Sequence, residues 1–235
     1  VDAPDSGAAS ARDDLDDPDY RAAVVDLLGV MAYGELSAFE RLVVDAGLAP
    51  SVADKAALSG MAVAEFHHFE RLRDRLRELG ADPEGAMEPF RAALDGFHRS
   101  TAPSTWLEGL VKAYVGDGIG QDFYTEIAAF LDPVTRDLVV DVMADLGHSS
   151  FAVDRVRAAI AADSRVGGRL ALWGRRLMGE ALSQAQQVAA ERDALDALFV
   201  GSESRPGIGL GGVGAIFKRI TERHARRMAS LGLAS

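Results

Sequence analysis

The chain reads as an all-α protein: a four-helix bundle with one long connection between its second and third helices, then two additional C-terminal helices. Three observations predict this. Apolar residues recur at helical spacing nearly everywhere, and β signals are sparse. Start and stop signals divide residues 19–162 into two helical hairpins with short internal links. The stretch between the hairpins is long and carries Pro83, Pro89 and Pro103.

Residues 1–18 are rich in Asp, Ala, Ser and Pro and are expected to form a disordered acidic tail. The first helix is placed at about 19–46, where Ala23, Val24, Leu27, Leu28, Met31, Phe39 and Leu42 recur and Gly47 gives a stop. Ser51 looks like an N-cap, and the second helix runs to Gly80. Residues 81–103 form the long connection, with only a short helical stretch. Ser104 is expected to cap a third helix that ends near Leu131. Asp132-Pro133 puts a capping acid before a proline at the first helical position, a strong start for a fourth helix reaching about Ala162. Gly167-Gly168 breaks the chain, and a fifth helix covers about 168–198. Six glycines in 201–214 predict a flexible loop before a last helix at about 213–231. The expected division is a tail at 1–18, a bundle at 19–163 and a helical extension at 164–235 packed on the bundle.

Composition excludes several classes of function. The formal net charge of −11 argues against a broadly basic nucleic-acid-binding surface, though not against a local basic patch. The absence of cysteine excludes disulfides, thiolate nucleophiles and iron–sulfur clusters. No apolar run reaches about 18 residues, so no membrane-spanning helix is expected. No basic segment leading into an apolar stretch marks a secretory signal, and a cytoplasmic location is the default expectation.

One pattern carries chemistry. Glu35 precedes Glu65-Phe66-His67-His68, and Asp117 precedes Asp145-Leu146-Gly147-His148. Each hairpin thus offers a lone carboxylate and then a carboxylate–histidine pair at i, i+3, which share one helix face. Four carboxylates and two histidines, Glu35, Glu65, His68, Asp117, Asp145 and His148, match the ligand set of a dinuclear centre in a four-helix bundle. Heights agree as well. Glu35 and Glu65 lie about equally far from the turn near residue 50, and Asp117 and Asp145 about equally far from the turn near 132. By the same measure Asp117 is preferred on the third helix, Asp122 comes second and Glu126 third. Glu35 and Glu65 sit on apolar stripes, where an ionised carboxylate needs a partner or a cation. Carboxylate oxygens with imidazole suit iron, with manganese as the alternative. A metal-free network of buried acids and histidines is the competing reading.

Ala64-Glu65-Phe66-His67-His68-Phe69-Glu70 resembles the helical metal-binding segment of the bacterial tRNA hydroxylases that act on 2-methylthio-isopentenyladenosine, the MiaE family. Glu35-Leu36-Ser37-Ala38 is similar to the first-helix motif of that family and of ferritin-like proteins generally. The resemblance covers about residues 20–160 and points to an actinobacterial branch. It implies a ferritin-like bundle and two iron ions that activate dioxygen to hydroxylate a C–H bond. By that mapping Glu65 and Asp145 bridge the metals, Glu35 and Asp117 are terminal, and His68 and His148 each hold one metal. Asp117 and Asp145 stand where the family carries Glu, one methylene longer. A separate electron donor is implied, since no flavin or nicotinamide motif is present. A non-catalytic ferritin-like scaffold and a ferroxidase or peroxide-reducing protein are the alternatives.

Other residues receive weaker assignments. His67 is expected beside the site or at the surface. Tyr33, Tyr114 and Tyr124 could line a cavity, although core packing is the plainer role. Asp141 either orients a ligating histidine or is solvated. Arg71, Arg73, Arg75 and Arg77 read as a salt-laced surface. Lys218, Arg219, Arg223, Arg226 and Arg227 make the last helix basic, the best candidate for contact with tRNA. The glycines from Gly207 to Gly212 fit G-x-G-x-x-G but follow no strand, so a loop is expected there rather than a nucleotide cradle. A homodimer is one candidate assembly, and the sequence leaves the oligomeric state open.

Overall fold

The computed structural model describes residues 15–144, 148–191, 198, 201–202, 205–206 and 209–234. Eight α-helices carry nearly all of its regular structure: α1 (Pro18–Asp45), α2 (Val52–Glu78), α3 (Pro83–Ser100), α4 (Trp106–Ala128), α5 (Pro133–Val142), α6 (His148–Ala162), α7 (Arg165–Glu191) and α8 (Gly209–Ser230). A 3-10 turn at Ala46–Leu48 links α1 to α2. The one described ladder pairs Gly201–Ser202 antiparallel with Arg205–Pro206. The chain is all-α, as its apolar periodicity predicts.

Side-chain caps account for the helix starts. Asp17 accepts from the N–H groups of Asp19 and Tyr20 ahead of Pro18, so the end of the acidic stretch begins α1. The rest of the predicted tail, residues 1–14, lies outside the described residues. Ser51 caps α2, and Asp132 caps α5 through the Thr135 N–H. Thr105, not Ser104, caps α4. Ser104 instead donates its N–H and hydroxyl to the Glu108 carboxylate at 2.7 and 2.6 Å.

Three further expectations are corrected. The connection at 81–103 contains α3, a full 18-residue helix; Asp82 caps it and Pro83 stands in its first turn, where no N–H is required. The glycine-rich stretch is already helical from Gly209. The predicted fourth helix is interrupted: α5 ends at Val142, and α6 starts at His148. Gln121 of α4 donates to the Met143 carbonyl at 2.6 Å, satisfying one of the acceptors left at the end of α5.

α1 packs most extensively on α2 and α3, while α4 packs on α6, α7 and α8. Leu27, Leu28 and Met31 of α1 meet Leu72 and Leu76 of α2 and Phe90 of α3 in one core cluster. Leu110 and Val111 of α4 meet Val156, Leu177 and Met228 in a second. Contrary to expectation, Pro18–Leu48 is long and apolar enough to cross a bilayer by length and composition. Its most apolar window is 56% buried inside the protein, so this apolarity serves the core.

Gly29 permits the closest approach of α1 to α3. A β-carbon there would lie 2.2 Å from the Ala86 carbonyl oxygen, a backbone atom that cannot swing aside. Gly29→Ala is therefore expected to destabilise the protein by about 2 kcal/mol even though alanine is the better helix former. A drop in melting temperature reports it; an unchanged melt would show that α3 moves freely.

Candidate metal centre

Glu35 leaves the middle of α1, and Glu65 and His68 leave adjacent turns of one face of α2. The two helices run antiparallel, and Arg21 near the start of α1 donates to the Leu79 carbonyl beyond the end of α2. His68 Nδ1 lies 3.4 Å from Glu35 Oε2 and 3.6 Å from Glu65 Oε2. The three ligand atoms lie within 4.8 Å of one another. A first-row cation bound at roughly 2.1 Å holds its donors about 3 to 4 Å apart, so small side-chain rotations adapt this trio to an ion. All three side chains are enclosed, with Glu35 only 9% and Glu65 only 8% exposed. Oxygen and imidazole donors in this ratio suit iron or manganese.

The electrostatics show the strain of two acids placed side by side. Burial pushes the Glu35 carboxyl up to about 7, with the negative charge of Asp117 adding to the rise and the hydrogen bond from Glu65 opposing it. Glu65 is also raised, by burial first and then by its hydrogen bond to Glu35. Both shifts favour a proton shared between the two carboxyls when no cation is present. Replacing that shared proton with a cation satisfies both carboxylates.

Asp117 of α4 lines the same cavity as Glu35, Glu65 and His68. The α1–α4 register explains how it arrives there. At one end the Asp132 N–H donates to the Tyr20 hydroxyl at 2.6 Å, and at the other the Asp45 side chain packs over Gly109. Fifteen residues inward from Tyr20 is Glu35, and fifteen back from Asp132 is Asp117, so equal rise puts the two at one level. Asp122 and Glu126, the two acids of α4 ranked behind Asp117, have partners on α8. Asp122 is bonded by Arg227 and lies 3.5 Å from Arg223. Glu126 accepts from Arg219 at 3.0 and 2.6 Å and lies 3.0 Å from Arg223. Asp122→Asn should loosen α8 and lower the melting temperature, since halving a buried ion pair costs about 3 kcal/mol. Bound metal should be unchanged; loss of metal would show that Asp122 belongs to the centre.

Asp145 lies outside the described residues, as does the side chain of His148, the first residue of α6. The residues described at the site are thus Glu35, Glu65 and His68 as a cluster, with Asp117 on the facing helix.

A cavity of about 570 Å³ opens beside the cluster. Its wall includes residues that sequence reasoning did not connect with the site: Leu94, Phe97 and His98 of α3, Leu182 and Val188 of α7, Phe217 and Ile220 of α8. Tyr114 and Tyr124 also line it. The Tyr124 hydroxyl is raised above its ordinary range by burial and by the charge of Glu35. Tyr33 instead donates to Asp95 at 2.8 Å. One turn and more beyond Glu35, the wall turns polar with Arg41, Asp45, His98 and Lys112. Burial pushes Lys112 down to about 8 and His98 down to about 3.

His67 is exposed. Asp141 is exposed too and pairs with Arg71 at 2.5 Å, which ties α2 to α5. Arg75 reinforces that contact, donating to Thr135 and Asp132, the latter with a fully buried side chain.

The sequence profile of a family described as "Ferritin-like domain, actinomycetes" matches residues 18–202, from the start of α1 through α7. No curated protein matches the chain.

Proposed function

We propose, from the premise that this chain belongs to the ferritin-like domain family of actinomycetes, that it is a metal-dependent oxidoreductase. Glu35, Glu65, His68 and Asp117 hold its metal, iron before manganese, and an apolar substrate occupies the adjoining cavity. The observation that carries this reading is the convergence of Glu35, Glu65 and His68 at the wall of a 570 Å³ cavity. Two buried carboxylates beside one imidazole are costly without a cation and favourable with one.

The finer form of the proposal is an oxygen-dependent hydroxylase built on two irons, in the manner of the MiaE resemblance. Iron in such a site supplies the activation of dioxygen. The protein supplies the rest. Glu35 and Glu65 neutralise cationic charge, while Asp117 presents a further carboxylate from the facing helix. Leu182, Val188, Phe217 and Ile220 exclude water from the substrate. A second ion depends on Asp145 and His148. Electrons come from a separate donor, and a cytoplasmic setting goes with such a donor. A tRNA substrate is the weaker part of this reading, because Arg219, Arg223 and Arg227 already pair with acids of α4. Lys218 and Arg226 remain on the exposed face of α8.

One observation favours a second reading, a ferritin-like scaffold without catalysis. α5 ends at Val142, before the second carboxylate–histidine pair. Metal analysis after iron-replete expression separates the two. About two irons per chain supports the dinuclear form. One iron supports a half-site built on Glu35, Glu65 and His68, and none sinks the metal proposal. Oxygen consumption by the reduced protein then separates an oxygenase from a passive site, and mass analysis of tRNA nucleosides from a deletion strain tests the finer substrate.

A further inference from the structure

The polar end of the cavity has no role in holding a metal. Lys112 of α4 is 6% exposed, and its Nζ has no hydrogen-bond partner among the described residues. The Phe97 ring, 5.6 Å from that nitrogen, offers its π face but no lone pair for the three N–H groups. Asp45 exerts its charge on Lys112 without accepting a hydrogen bond from it. A buried ammonium lacking an acceptor is costly, and its position on a cavity wall indicates what is missing. Arg41, 45% exposed and paired at 3.4 Å with Glu40, adds a second cation along the same wall.

His98 defines the opposite polarity. Its Nε2 lies 3.2 Å from the Ser37 hydroxyl, which itself donates to the Gly34 carbonyl at 2.9 Å. Ser37 therefore accepts from Nε2–H, leaving Nδ1 as a bare acceptor, and that atom too is buried without a partner among the described residues. With Arg41 paired to Glu40, Lys112 is the one cation of this wall with no carboxylate bonded to it among the described residues. One such cation matches a monoanion rather than a phosphate dianion.

We propose that Lys112 and Arg41 bind the carboxylate of an elongated apolar molecule, whose tail runs along α1 toward Glu35, Glu65 and His68. Arg41 and Asp45 lie six and ten residues beyond Glu35 on one helix, so the head group stands roughly 9 to 15 Å along the axis from the metal ligands. Leu42, Ala38 and Met31 line the wall along α1. The head group fixes register, and the metal ligands meet the tail rather than the polar end. The ligand class is then a long-chain aliphatic acid. His98 Nδ1 takes a hydrogen bond from water or from a hydroxyl on such a chain.

This deepens the metal-centre reading, in that the acid would be the substrate of that centre, but its binding does not require metal. The test is calorimetric titration of the full chain in chelator with sodium dodecanoate and, separately, dodecanol. Dodecanoate should bind at least about tenfold more tightly, the value of one charge-assisted hydrogen bond. Lys112→Met should cut the preference for dodecanoate severalfold, Arg41 supplying what remains, while leaving dodecanol binding unchanged. Asp45→Asn, which removes the competing carboxylate, should tighten dodecanoate binding. Equal binding of acid and alcohol by the wild type, failure of both to bind, or full retention of acid selectivity in Lys112→Met overturns the proposal. If Lys112→Met fails to fold, Asp45→Asn decides, and weaker or unchanged dodecanoate binding is the overturning result. His68→Ala separates the two readings: it should retain dodecanoate binding whether or not the wild type takes up iron.

Discussion

Glu65→Gln is expected to strip the metal from the protein and, at the same time, to raise the stability of the metal-free form. The substitution keeps the shape of the side chain and replaces an anionic ligand with a neutral amide. Metal affinity should fall by more than about a hundredfold, beyond the usual loss when only a supporting residue is changed. The gain in stability follows from burial. Glu65 is 8% exposed and shares its surroundings with Glu35, so above neutral pH the native metal-free protein carries two crowded, desolvated acids. A glutamine relieves that crowding and can still donate to Glu35. We expect about 2 kcal/mol at pH 8, read as a rise of several degrees in melting temperature in the presence of chelator. At pH 5, where the wild-type acid is protonated, the difference should vanish. Unchanged iron content in this variant would remove Glu65 from the centre.

The second large effect is the pH dependence of the metal-free protein. Glu35 titrates at about 7 when folded, against an ordinary value of 4.5, and burial is the main cause. A carboxyl raised in the folded state favours folding in its protonated form. Its contribution is fully present below 4.5 and is lost as the pH rises through about 7. The loss is on the order of 3 kcal/mol for Glu35 alone, and Glu65 moves in the same direction. Urea unfolding in chelator should therefore show lower stability at pH 8 than at pH 5, the reverse of a protein held by ionised acids in salt bridges. Added iron or manganese should flatten or invert the slope, because a bound cation takes the place of the protons. A metal-free protein whose stability is flat over that range would show that water reaches Glu35.

Local chemistry made much of the molecule legible in advance. Asp132 followed by Pro133, Ser51 before α2, and the apolar spacing of α1 each declare a helix through side-chain capping or periodicity. The cluster of Glu35, Glu65 and His68 was legible because two of its members share a face at i, i+3 and the third lies at matched height across a short turn. Failures occurred where tertiary contacts prevail. Pro83 and Pro89 suggested a connection, yet Pro83 begins α3 and Pro89 sits inside a helix packed on α1. Nothing local announced that the fourth helix would stop at Val142, where Gln121 bonds the Met143 carbonyl. Ser37, Arg41, His98 and Lys112 come from three helices with no shared spacing, so no motif could gather them. The pairing of Asp122 and Glu126 with arginines of α8 likewise depends on residues 93 to 105 positions away in sequence.

The placement of α7 and α8 along the cavity has a consequence for how such proteins diversify. The described candidate metal ligands all come from α1, α2 and α4, whereas Leu182, Val188, Phe217 and Ile220 come from the two last helices. On the proposed function, reactivity and selectivity are written in separate stretches of chain. Substitutions in the later stretch can reshape which molecules are admitted while the reactive centre stays intact, so relatives of this protein can acquire new substrates without reinventing their chemistry.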